Sequence, residues 1–231
     1  MAKILFIMTG TDTWTLNDGS KHATGFWAEE AVVPLEAFKA AGHEVAVATP
    51  GGVVPPVDEG SLAADANGGK ENADRIRSVI ATAREFNEPV DLASVDLAEF
   101  DAVFVPGGHG PMEDLAVDAD SGRLLAAAVT AGTPVGVVCH GPAALLAAVD
   151  AKGANAFAGY RITAFTNEEE RLAGLADKAP WLLEDRLTEA GIEVLAGEPF
   201  APHVEVDRNV VTGQNPPSSG PAARALLELI G

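Results

Sequence analysis

Apolar residues in this chain come in short β-branched or aromatic runs, separated by stretches of helical composition. Lys3 to Met8 reads as a buried strand, and Ala28 to Ala41 as a helix that Gly42 closes before a second strand, Glu44 to Ala48. Asn72 to Glu85 predicts another helix. A polar connection through Asn87, Pro89 and Asp91 then leads to a short strand, Ala102 to Val105, which the loop Pro106-Gly107-Gly108-His109-Gly110 ends. Alanine-rich Gly122 to Ala131 predicts a helix, Val135 to Val138 a β-branched strand, and Gly141-Pro142 the first turn of a helix running through Leu146. Beyond these, Arg161 to Ala164 and Glu193 to Leu195 read as strands and Pro180 to Ala190 as a helix. Val204 to Val206 and Val210 to Thr212 read as the arms of a hairpin, and Ala222 to Ile230 as a closing helix.

Strands that alternate with helices imply crossover connections, because neighbouring parallel strands cannot be joined by a tight turn. The expected fold is therefore α/β, a three-layer α/β/α sandwich around a mainly parallel sheet, with residues 1–231 in one domain. Ligands of such sheets bind beyond the carboxyl ends of the strands. Two strands deliver notable residues there: Gly107 to Gly110 and Cys139 to Gly141.

Composition narrows the function. Hydrophobic residues at 47% suffice for a core covered on both faces. With 34 acidic against 15 basic side chains and a formal net charge of -19, the summed field repels phosphate backbones and anionic membranes, so neither nucleic acid nor membrane is an expected partner. The first apolar run is too short for a signal-peptide core, no stretch reaches the length of a membrane span, and cytoplasm is the expected location. Five scattered histidines without an H-x-x-x-H spacing, together with one cysteine, give no expectation of a metal site. Gly51-Gly52 makes no dinucleotide fingerprint after the first strand, and no cofactor is expected.

A single cysteine excludes an internal disulfide, leaving Cys139 as either a small core residue or a reactive thiol. Its surroundings favour the thiol. Val135-Gly136-Val137-Val138-Cys139-His140-Gly141-Pro142 passes from strand to helix within a few residues, a nucleophile elbow that lifts a side chain above a sheet. The unpaired N–H groups and dipole of a following helix would stabilise a thiolate. The N–H groups of His140 and Gly108 would then be placed to hold an oxyanion. One geometric conflict stands: neighbours in an extended strand point to opposite faces, so only a sharp bend lets His140 serve Cys139.

These residues carry a family resemblance. Val137 to Pro142, Pro106 to Gly110 and Thr24-Gly25-Phe26-Trp27-Ala28-Glu29-Glu30 resemble the ThiJ/PfpI superfamily, whose flavodoxin-like sheet is similar to that of class I glutamine amidotransferases. Asp58 to Leu62, Ile162 to Thr166 and Val211 to Pro216 resemble its yeast-type glyoxalase III, or heat-shock chaperone-like, branch. The resemblance implies Cys139 as nucleophile, His140 as base, Glu30 as the carboxyl group near sulfur and Glu170 as third member of a triad. It also implies a homodimer.

Each residue has a plainer reading. Glu30, like Glu29, can be a first-turn acid that complements a helix dipole, and Glu170 lies in the acidic run Glu168-Glu169-Glu170, ordinarily a solvated face. Gly107, Gly108, His109 and Trp27 are candidates for oxyanion or substrate binding; His109 can instead cap a loop, and Phe26 and Trp27 can belong to the core. His22, in a polar loop, and His43, after a helix-ending glycine, read as inert. His203, Glu205 and Asp207 alternate onto one strand face with the His-x-Glu spacing of true amidotransferases, but the solvent side of an edge hairpin explains them better.

The expected activity is glutathione-independent conversion of methylglyoxal to lactate through a cysteine hemithioacetal. Alternatives are deglycation of protein or nucleotide adducts, a stress chaperone or oxidation sensor using Cys139, and a cysteine peptidase or amidase. The expected partner is a small dicarbonyl or glycated substrate.

Overall fold

The computed structural model describes residues 1–150 and 152–231. Its strands and helices follow in chain order. β1 (Lys3–Ile7) leads to a small hairpin of β2 (Thr13–Thr15) and β3 (Lys21–Ala23), then α1 (Ala28–Ala40), β4 (Glu44–Thr49), α2 (Lys70–Thr82), α3 (Arg84–Asn87) and β5 (Val90–Asp91). The middle of the chain holds β6 (Ala102–Val105), α4 (Gly110–Glu113), α5 (Ala119–Ala131) and β7 (Val135–Val138). The remainder comprises β8 (Arg161–Ile162), α6 (Asn167–Leu172), α7 (Leu183–Glu189), β9 (Glu193–Val194), β10 (Val204–Asp207), β11 (Val210–Gly213) and α8 (Ser219–Ile230).

The central sheet has the order β10-β11-β7-β6-β1-β4-β5, with only β10 antiparallel to its neighbour. β6 and β7 are buried at every position, as strands covered on both faces must be. α1 and α8 pack together against the sheet, and α5 packs on β6 and β7, giving the three layers of an α/β/α sandwich. Inside, Phe6, Phe38 and Phe104 meet with ring centroids 5.1 to 5.9 Å apart.

Four expectations change. Ala83 adopts an extended conformation (φ −67°, ψ 119°), so the helix expected over 72–85 breaks into α2 and α3. The segment after Cys139 is a 3₁₀ helix, Gly141–Ala147, rather than an α-helix. His22 lies not in a loop but on β3, half-buried and paired across the hairpin with Trp14. Finally, the acidic run at 168–170 forms the first turn of α6, with Glu169 and Glu170 buried.

Candidate active site

The carboxyl ends of β6 and β7 sit side by side at the middle of the sheet. Beyond β7, Cys139 adopts φ +59°, a left-handed conformation that costs a non-glycine residue about 1–3 kcal/mol and turns the chain sharply. Gly141 makes the turn possible, since a Cβ there would lie 2.5 Å from the Val105 carbonyl oxygen. This bend resolves the conflict between adjacent residues. Cys139 Sγ lies 3.3 Å from His140 Nδ1.

Behind His140, its Nε2 lies 2.7 Å from Glu170 Oε2, while the other Glu170 oxygen lies 3.0 Å from His109 Nε2. Glu170 is carried there by a capping box: Thr166 Oγ1 accepts from Glu169 N–H at 3.1 Å, and Glu169 Oε2 accepts from Thr166 N–H at 3.0 Å. The two histidines hold the Glu170 carboxyl well below the usual carboxylate range against the opposing effect of its burial, so it is ionised. A carboxylate can only accept, so both imidazoles donate Nε2–H to it. In the neutral imidazole, a His140 that donates from Nε2 turns the lone pair of Nδ1 toward sulfur.

Glu30 also stands near the sulfur. It is fully buried on the first turn of α1, and Glu30 Oε2 accepts the Gly107 N–H at 2.7 Å. Pro34 provides no N–H for the Glu30 carbonyl. This first turn is instead tied by Glu30 N–H to the Trp27 carbonyl at 3.1 Å and by Ala28 N–H to Ser61 Oγ at 3.0 Å. Burial pushes the Glu30 carboxyl up to about 8, against the opposing effects of the nearby Cys139 thiol and the Gly107 N–H, and its second oxygen, Oε1, has no hydrogen-bond partner among the described residues. Burial and Glu30 also push that thiol up, against a smaller opposing effect of the nearby Gly108 N–H.

These facts revise two sequence expectations. A helix N-terminus does not leave the sulfur ionised at rest: Cys139 is only 4% exposed, and its proton is held by burial and a neighbouring acid. Gly107 is not an oxyanion donor, because Glu30 occupies its N–H; its missing side chain serves instead to let Glu30 Oε2 and the His140 amide approach. Gly108, at φ +86°, has its N–H near the sulfur.

A cavity of about 270 Å³ opens over Cys139. Its walls are mostly apolar, formed by Trp27, Phe165, Phe200, Pro216, Pro217 and smaller neighbours, with Glu29 the acidic side chain among them and, among the described residues, no Lys or Arg. Phe200 is a wall that nothing in its sequence context signals, being one residue of an irregular loop. α6 was detectable: Thr166-Asn167-Glu168-Glu169 is a capping-box pattern. The hairpin that carries His22 has an Asp18-Gly19 turn.

Phe26 belongs to the core, stacked on Phe86, whereas Trp27 lines the cavity. His43 Nδ1 accepts the Ala2 N–H at 3.0 Å, a structural role. His203 lies 3.2 Å from Glu205, and neither they nor Asp207 line the cavity around Cys139. Folding does bring His109, His140 and Glu170 into a cluster whose possible ligand atoms lie within 4.8 Å of one another, which their sequence spacing does not reveal. A metal ion there would have to replace the two protons now donated to the carboxylate. Among the described residues no helix is long and apolar enough to cross a membrane.

The arrangement is similar to known proteins over nearly its whole length. A glyoxalase III from Candida albicans superimposes with a TM-score of 0.85 at 25% identity, over 99% of this chain and 97% of that one. The Rapid Encystment Protein of 24 kDa from Francisella tularensis gives 0.88 at 28% identity, over all of both chains. Protein/nucleic acid deglycase HchA from Pseudomonas aeruginosa is 29% identical over 98% of this chain and 81% of its own length. The DJ-1/PfpI family model matches residues 22–229, and the chain belongs to the DJ-1/PfpI family.

Proposed function

We propose that this protein is a cofactor-free, cysteine-dependent enzyme of glycation defence that converts small 2-oxoaldehydes such as methylglyoxal to 2-hydroxy acids. The observation that carries this reading is the line Cys139–His140–Glu170, with the buried Glu30 carboxyl nearby, beneath a small apolar cavity. The glyoxalase III and HchA likenesses support it.

His140 Nδ1 takes the thiol proton, and the resulting imidazolium is held by the Glu170 carboxylate. Cys139 sulfur then attacks the aldehyde carbon; a C–S bond forms, and the carbonyl π pair becomes an alkoxide. The Gly108 and His140 amides stabilise this alkoxide until it takes the proton back as a hemithioacetal. Next, the hydrogen on that carbon leaves as a proton while the ketone oxygen gains one, giving an enediol; the former ketone carbon then takes up a proton as the hydroxyl on the sulfur-bearing carbon gives up its own and becomes the thioester carbonyl. This isomerisation gives a thioester without any external oxidant. Glu30, titrating near neutrality, is suited to act as both base and acid in this transfer, with His140 as its partner. Water cleaves the thioester, releasing lactate and the free thiol.

Purified protein without glutathione should form lactate from methylglyoxal, and Cys139→Ala should not. Equal lactate formation by both would overturn the proposal. The name of the HchA relative favours a second reading, removal of early glycation adducts, which uses the same attack on a hemiacetal-like carbon. Following adduct decay after all free aldehyde has been removed separates the two. With its net charge of -19 and a cavity lined by no Lys or Arg among the described residues, the chain favours uncharged or amine-borne adducts over those on phosphate-bearing nucleic acid.

A further inference from the structure

His109 takes no part in the steps above, yet it is bonded directly to their machinery. It shares Glu170 with His140, the two imidazole centroids lie 4.0 Å apart, and the Trp14 indole stacks on His109 at 4.8 Å with an interplanar angle of 19°. Trp14 is 1% exposed, so the stack is fixed by the core. A carboxylate gripped at one oxygen can rotate about its terminal bond; gripped at both, it cannot turn without breaking a buried hydrogen bond.

We infer that His109 is a positioning residue: its Nε2–H fixes the second oxygen of Glu170, so that the first holds His140 in the tautomer whose Nδ1 lone pair faces the Cys139 sulfur. The groups facing His109 are His140 from the elbow, Glu170 from α6, His22 edge-on from β3 with centroids 6.0 Å away, and Asp58 farther off. Burial and His140 lower its affinity for a proton more than Glu170 and Asp58 raise it. Geometry points the same way: His140 Nδ1, and not His109, lies against the sulfur at 3.3 Å to receive its proton. Two adjacent imidazolium ions against one carboxylate would carry an unbalanced buried charge.

This inference rests on His140 acting as base to Cys139, so its test reads the sulfur directly and needs no turnover of an aldehyde. The rate of Cys139 alkylation by iodoacetamide, followed by mass spectrometry across the range in which imidazole and thiol titrate, is compared among four forms of the full chain: wild type, His109→Gln, His109→Asn and His109→Phe. A Gln amide can reach the position of His Nε2 and donate from it; Asn is too short, and Phe fills the space without a donor.

Gln should alkylate within about threefold of wild type, while Asn and Phe should be slower on the order of 10-fold at neutral pH, with the profile displaced toward alkaline pH. Circular dichroism checks that each variant is folded, and Asn serves if Phe does not fold. Wild-type rates and profiles in Asn overturn the inference, as does Gln reacting as slowly as Asn. Slow substrate turnover caused only by a raised KM, with alkylation unchanged, also overturns it and makes His109 a substrate contact. If no form produces lactate but the alkylation order holds, the glyoxalase reading falls and the positioning role stands.

Discussion

Cys139 and His140 are neighbours in sequence, yet their side chains meet at 3.3 Å because the backbone of Cys139 is left-handed. The contact and the strain are one feature. At an ordinary buried position replacing alanine by glycine lowers stability, but here glycine adopts the required φ freely. Cys139→Gly should therefore equal or exceed Cys139→Ala in urea denaturation, by up to about 1 kcal/mol, although both abolish activity. Alanine clearly more stable than glycine would contradict a strained elbow.

Glu30 makes stability depend on pH. Its carboxyl is raised from 4.5 to about 8 in the folded chain, so between these values the folded state binds more protons than the unfolded state. The stabilisation is complete below the lower value and is lost as pH rises through the upper one. Glu30→Gln should flatten that decline by a few kcal/mol when urea denaturation is measured across the window. The same variant should speed Cys139 alkylation near neutral pH, because the sulfur loses a carboxyl that pushes its thiol up. An unchanged pH slope would show that Glu30 is ionised in the folded protein.

Much of this was legible from sequence, for reasons that also explain the gaps. The strands at 3–7, 102–105 and 135–138 were readable because each is an apolar run in a sheet covered on both faces, and the elbow because a cysteine follows such a run and precedes Gly-Pro. The electrostatics were not legible. Burial of Cys139 and Glu30 depends on how distant segments pack, and that desolvation outweighs the local helix-end effect expected at the elbow. His22 was misread because a three-residue strand offers almost no periodicity. Glu169 and Glu170 look solvated in a run of three acids, and only the packing partners of α6 make them buried.

Two glycines with similar backbones should respond differently to the same change. Gly108 has φ +86°, and a Cβ there would lie 2.3 Å from the Gly25 carbonyl oxygen and 2.6 Å from the Trp27 nitrogen. Gly132, at φ +77°, has nothing within 4 Å. Gly132→Ala should lose only the left-handed strain, about 1–2 kcal/mol. Gly108→Ala should lose about 3 kcal/mol or more, because main-chain atoms cannot step aside cheaply. Thermal melts of the pair decide this, and equal losses would mean that the loop over the sulfur is not closely packed on residues 25–27.

Phe200 closes one wall of the cavity while remaining 45% exposed, at φ +55°. Its ring centroid lies 6.0 Å from that of Phe165. Phe200→Gly should relieve the backbone and widen the cavity. Lost apolar contact costs a larger substrate more, so KM for phenylglyoxal should rise roughly 10-fold and KM for methylglyoxal less, with kcat for both near wild type. Equal changes for the two aldehydes would remove Phe200 as a determinant of substrate size.

Three successive glutamates provide the last comparison. Glu168 is exposed, and Glu168→Gln should change stability by no more than about 0.5 kcal/mol. Glu169 accepts from Phe200 N–H and Asn215 Nδ2 at 2.8 Å, and from Thr166 N–H and Oγ1 at 3.0 Å. An amide in its place would set a donor against donors, so Glu169→Gln should cost about 2–3 kcal/mol and loosen the loop that carries Phe200. Glu170 is held ionised by two histidines, and its depressed folded value gives stability that is present above the ordinary glutamate range and lost as pH falls through the lowered value. Glu170→Gln should therefore lose less stability than wild type on acidification, while losing most Cys139 alkylation at neutral pH, because an amide can present its own N–H to His140 and favour the wrong tautomer. Urea denaturation at acidic and neutral pH, with alkylation measured on the same samples, separates the three. If Glu170→Gln matches Glu168→Gln in both measurements, Glu170 neither orients His140 nor is held ionised in the folded chain.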